Sequence, residues 1–155
     1  MRIRLVAVGN RMPDWVENGV EEYRKRLTLD LTLEVIEIPA GKRVKNADIA
    51  RLTEKEGEQM LASLHPSEHI IALDVKGKPL STETMAARLA TLMQAGKPLA
   101  LLVGGPEGLA PACLARADEK WSLSPLTLPH PLVRVLLAEQ LYRCWTVIKG
   151  HPYHR

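Results

Sequence analysis

The chain has 155 residues, 46% hydrophobic and 25% charged, which fits one globular domain spanning residues 1–155. No apolar run is long enough to cross a bilayer and no signal-peptide pattern opens the chain, so a cytoplasmic protein without membrane association is expected. A formal charge of +3 permits an RNA partner without demanding one, and the two cysteines, Cys113 and Cys144, read as buried free thiols.

Residues 3–8 read as a first strand closed by Gly9. Pro13 and Asp14 open an amphipathic helix that places Trp15, Val16, Val20, Tyr23 and Leu27 on one face. Residues 31–38 alternate partly with period two and give a second strand. Asn46 is the expected N-cap of a helix carrying Ile49, Leu52, Gly57, Met60, Leu61 and Leu64. Residues 69–73 form a short buried strand ending in Asp74. Ser81 caps the next helix, which carries Met85, Leu89, Leu92 and Met93 and stops at Gly96. A strand at 99–103, a short helix at 111–117 and a strand around 121–123 follow. The last helix is expected over 132–148, before the tail His151-Pro152-Tyr153-His154-Arg155. Strands separated by single helices predict a three-layer parallel α/β sheet.

Several chemistries are excluded by their missing residues. The glycine loop Gly104-Gly105-Pro106-Glu107-Gly108 lacks the Lys-Ser/Thr ending of a phosphate-binding loop, and Gly9 stands alone without a dinucleotide fingerprint. There is no G-x-S-x-G elbow. His65, His69, His130, His151 and His154 form no metal-ligand spacing with one another or with the cysteines, so no metal is expected.

Three constellations remain. In an open parallel sheet, ligands lie beyond the carboxyl ends of the strands, and Leu73, Val103 and Leu123 all stand at such ends. Glycines at 104, 105 and 108 let a ligand approach the main chain, and Leu126 and Leu128 supply apolar walls; two ordinary tight loops explain the same residues equally well. Basic residues cluster at Arg24 to Arg26, at Lys42, Arg43 and Lys45, at Lys76 and Lys78, and in the tail. Those at 24–26 need only a helix C-terminus, whereas the 41–45 loop and the tail, where Tyr153 adds an aromatic face, suit RNA. The last helix is apolar on more than one side, which either a homodimer or deep packing within one chain would satisfy.

Five stretches together resemble one family: Ile38-Pro-Ala-Gly-Lys-Arg, Lys55-Glu-Gly-Glu-Gln-Met, the 104–108 loop, Leu123-Ser-Pro-Leu-Thr-Leu-Pro-His-Pro-Leu-Val-Arg and the closing His-Pro-Tyr-His-Arg. The chain resembles, over its whole length, the small bacterial RlmH family of SPOUT-class ribosomal large-subunit pseudouridine methyltransferases. That resemblance implies a C-terminal trefoil knot and a homodimer without an added RNA-binding domain. It implies S-adenosylmethionine held at Leu73, Gly104, Leu123, Ser124, Pro125, Leu126, Thr127 and Leu128. Pro125 stands where relatives often carry a small residue, so a contact there is limited to its carbonyl or ring. The implied acceptor is N3 of a pseudouridine in the helix 69 hairpin of 23S rRNA in the assembled ribosome.

Methyl transfer then needs alignment and a base for the imide proton, for which His154 or His130 has the right ordinary pKa. Tyr153 and Arg155 are candidates for handling the acceptor, with the tail reaching a partner's cofactor. Lys42, Arg43, Lys45 and His151 are candidates for contacting RNA, and Arg134 and Glu139 for supporting the site or the interface. Action on another RNA such as tRNA, or ribosome binding without catalysis, are the competing expectations. A nucleotide-binding domain is a third, and it already lacks the phosphate lysine.

Overall fold

The computed structural model describes residues 1–28 and 30–155. Its elements are β1 (Arg2–Val8), α1 (Asp14–Arg24), β2 (Thr32–Ile38), α2 (Ile49–Ala62), β3 (His69–Pro79), α3 (Thr82–Ala95), β4 (Leu99–Val103), α4 (Pro111–Arg116), β5 (Glu119–Ser122) and α5 (His130–Lys149), closed by a 3-10 turn at Pro152–His154. The strands pair in the order β2-β1-β4-β3-β5, and every pairing is parallel. Each strand therefore needs a crossover, and α1 to α4 supply them.

The alternation of side chains along each strand builds two cores. Ile3, Leu5 and Ala7 of β1 and Leu99, Leu101 and Val103 of β4 face α1, α3 and α5, together with Val20, Leu89, Leu137 and Leu141. Val6 and Val8, with Ala100 and Leu102, face the other way, onto Met60 of α2 and Cys113 of α4. The sheet is thus the middle of three layers, and α5 packs against both α1 and α3. Both cysteines are buried and free. Among the described residues no helix is long and apolar enough to cross a membrane.

Four local expectations are corrected. Asn46 does not cap α2; it sits at φ 67, a left-handed position that Asn tolerates, and Asp48 accepts the Arg51 N–H instead. Trp15 is 55% exposed, so the buried face of α1 consists of Val16 and Val20. β3 continues past Leu73 to Pro79 because β5 pairs with it twice, Trp121 standing opposite both Leu73 and Lys78 across a register shift. α5 begins at His130, since Pro129 can occupy the cap and Pro131 the first turn without losing a helical hydrogen bond.

Candidate active site

Parallel strands place all their carboxyl ends on one edge of the sheet, and a cleft of about 820 Å³ opens there. Its walls come from the end of β3 (Leu73, Asp74, Val75), the turn after β4 (Gly104 to Gly108), the 123–129 connection and the start of α5. Leu73, Gly104, Leu123, Ser124, Leu126, Thr127 and Leu128 all line it. Pro125 does not; it is exposed outside the lining.

The 104–108 turn closes on itself. Gly108 N–H donates to Gly105 O at 3.0 Å, with Pro106 at the second position and Gly108, at φ +85, as the fourth residue. A Cβ on Gly104 would lie 2.3 Å from the Gly108 carbonyl carbon. The returning backbone is by itself enough to require glycine at 104. Ser124 Oγ accepts the Leu126 N–H at 3.0 Å and shapes the opposite wall.

Arg43 is drawn into ion pairs within the chain. Its guanidinium pairs with Glu56 of α2 and, through Nη2 at 2.8 Å, with Glu107 of the turn. Glu56 also accepts the Gly41 N–H at 2.9 Å. Arg43 holds the Glu107 carboxyl below the usual carboxylate range. It is a clamp between the turn, α2 and the basic loop. Lys42 and Lys45 in the same loop are exposed and form no ion pair among the described residues.

At the start of α5, His130 lines the cleft while its Nδ1 is buried without a partner. One turn on, the buried Arg134 donates to Glu37 at 2.7 Å and to the Gly9 carbonyl at 2.7 Å. Burial, then the charges of Arg134 and Arg43, push the His130 imidazole below its ordinary pKa. Asp74 and Glu107 are the ionisable acids of the cleft wall, and among the described residues no Lys or Arg lines it. Such a wall suits an apolar and cationic ligand better than a polyphosphate.

The tail stands apart. α5 has 20 residues, so it is about 30 Å long, and within one chain the tail lies at its far end from His130. There it folds back on the helix. The Tyr153 ring packs edge-on against Tyr142 at 4.6 Å, and its hydroxyl donates to Glu139 at 3.3 Å. Arg143 bonds the same carboxylate at 2.8 Å and lies over the Tyr153 ring. Burial pushes the Tyr153 phenol up, which keeps it a donor. His154 is half-buried, while His151 and Arg155 are exposed. Glu139, a candidate support from the sequence, gains its hold on the tail with Arg143, a partner that the i,i+4 spacing signals. Arg43 had no such signal, since its partners lie 13 and 64 residues away.

A family model described as predicted SPOUT methyltransferase matches residues 1–154. A crystal structure from Neisseria gonorrhoeae, assigned to a methylase family, shares the fold with a TM-score of 0.52 at 13% identity, over 90% of this chain and 81% of that one. Ribosomal RNA large subunit methyltransferase H of Pseudomonas putida is 59% identical over all of both chains, and that of Pseudomonas aeruginosa 57%. The chain belongs to the SPOUT methyltransferase family and, within it, to the ribosomal RNA large subunit methyltransferase H family.

Proposed function

We propose that this protein transfers a methyl group from S-adenosylmethionine to large-subunit ribosomal RNA, at N3 of a pseudouridine in helix 69 of the assembled ribosome. The observation that carries the reading is the strand-end cleft, walled mainly by apolar side chains and main chain and, among the described residues, lined by no lysine or arginine, in a chain whose full-length relatives are named for this RNA. When bound, the cofactor supplies the electrophilic methyl. Leu73, Gly104 and the 123–128 run hold it, with Leu126 and Leu128 against its apolar parts. Pro125 contributes shape to that run from outside the lining.

The protein's work is alignment and removal of the imide proton. His154 serves as the base, Tyr153 orients the ring, Arg155 holds a phosphate and His130 stands at the cleft as a hydrogen-bonding group. Because the tail lies a helix length from its own cleft, the tail of one subunit serves the cleft of the other in a homodimer. Lys42, Lys45 and His151 contact the RNA backbone, whereas Arg43 holds the loop in place. The path of residues 123–129 from the edge strand β5 back to α5 is the segment that a trefoil knot would thread. Its ribosomal substrate places the protein in the cytoplasm.

The test is transfer of labelled methyl from S-adenosylmethionine to intact ribosomes, separated subunits and bulk tRNA, followed by mass spectrometry of helix 69 nucleosides. Label on the pseudouridine of intact ribosomes is expected. Label on tRNA alone would redirect the activity, and no transfer despite ribosome binding would leave a non-catalytic binder.

A further inference from the structure

Among the described residues, three buried side-chain nitrogens lack a hydrogen-bond partner: Arg43 Nε, His130 Nδ1 and Arg134 Nε. Such atoms are rare enough that each calls for a cause. All three belong to residues gathered around the carboxyl end of β1. The position a Cβ would take on Gly9 lies 3.4 Å from Arg134 Nη2 and 3.5 Å from His130 Cε1, and that on Gly105 lies 3.7 Å from Arg43 Nη2. One nitrogen of the imidazole is therefore sealed inside, in a region that also holds two guanidiniums, while the residue as a whole borders the cleft.

We propose that His130 meets the cleft's ligand as a neutral imidazole with its proton on Nε2, donating a hydrogen bond to a ligand oxygen and taking no proton from the acceptor. This rests on the methyltransferase reading above and deepens it. The argument is electrostatic. A proton on Nδ1 would point into a sealed region already carrying two cations, whereas a lone pair there is favoured by the same field. Protonating both nitrogens adds a third positive charge without solvent to screen it. The charged groups facing the ring are Arg134 from its own helix, Arg43 from the loop after β2, Glu37 of β2 through its bond to Arg134, Glu107 of the turn and Asp74 of β3. Glu37, Glu56 and Glu107 are each already bound to one of the two arginines, and none bonds the imidazole. Nε2 is left as the nitrogen for the ligand, and its acceptor is a carboxylate or carbonyl oxygen.

Nitrogen-15 NMR of the histidine-labelled protein at neutral pH reads the tautomer without substrate. The expected spectrum for His130 shows an unprotonated Nδ1 and a protonated Nε2. In parallel, His130→Gln, whose amide nitrogen reaches the Nε2 position, should keep methyl transfer within about threefold of the native protein. His130→Asn and His130→Ala should each lose about tenfold or more. Thermal melting of the three variants controls for folding, and the spectrum of the native protein does not depend on them. Calorimetry with S-adenosylhomocysteine identifies the acceptor: weakened binding in His130→Ala assigns a cofactor oxygen, and unchanged binding with lost transfer assigns a ring carbonyl of the RNA. Both results uphold the donor. An Nδ1–H tautomer, an imidazolium at neutral pH, or a Gln variant as inactive as Ala would overturn it. Failure of methyl transfer in the native protein would refute the functional reading and leave the tautomer to the spectrum.

Discussion

Arg43 sits in the sequence beside Lys42 and Lys45, and on charge alone the three belong together. The fold separates them. Arg43 reaches inward to Glu56, whose side chain is only 6% exposed, and to Glu107. Arg43→Gln should destabilise the protein by about 2–3 kcal/mol, since it strands a buried carboxylate, while the partial exposure of Arg43 keeps the cost below that of a fully buried pair. Urea unfolding measures this. Lys42→Gln, by contrast, should leave the midpoint unmoved. At the opposite end of the sheet, burial pushes the Glu119 carboxyl up, but Arg88, His69 and Trp121 outweigh it and hold it at about 2. A depressed carboxylate stabilises the native state above its unfolded pKa and loses that contribution as pH falls through the folded value. About 2–3 kcal/mol should therefore drain away between about pH 5 and 2. Glu119→Gln should flatten that part of a stability-versus-pH curve; an unchanged slope would count against the pairing.

At the scale of elements, the turn after β4 does two jobs with one geometry. It ends the strand abruptly, which leaves the carboxyl edge open, and it folds tightly enough that Gly104 has no room for a side chain. Gly104→Ala should force the 104–108 backbone apart and weaken S-adenosylmethionine binding about tenfold or more, at a cost of about 1–3 kcal/mol in stability. Calorimetry and thermal melting read the two effects separately. Some elements follow from local chemistry alone. β4 carries five consecutive buried residues between breakers and runs over the residues expected. α3 opens on the Ser81 cap and stops at Gly96 in the left-handed conformation, as its sequence predicts. Others do not. The extension of β3 to Pro79 depends on a partner strand some 40 residues later, and neither the Lys-Gly-Lys run nor Pro79 signals it locally.

At the scale of the whole molecule, the cleft and the tail lie at opposite ends of α5. A homodimer that brings one subunit's tail to the other's cleft makes a specific prediction. A protein lacking residues 151–155 should fold and bind cofactor yet transfer no methyl, and Gly104→Ala should be defective in its cleft. Mixed and reassembled, the two should recover about a quarter of native activity, because half of the random dimers hold one complete site of two. No recovery on mixing would mean that each chain is self-sufficient.

By itself the sequence determined the layering and the material of the site. Alternating strand and helix periods, with crossovers too long for hairpins, allow little besides a parallel α/β sheet. The 104–108 and 123–128 stretches supply the residues a strand-end cleft needs, although two ordinary tight loops would use the same ones. Tertiary structure alone decided which charges are free. Arg43 and Arg134 are taken up by partners distant in the sequence, and His130 is sealed on one nitrogen and open on the other. Those outcomes depend on the distance between residues in space, which residue type and spacing do not encode.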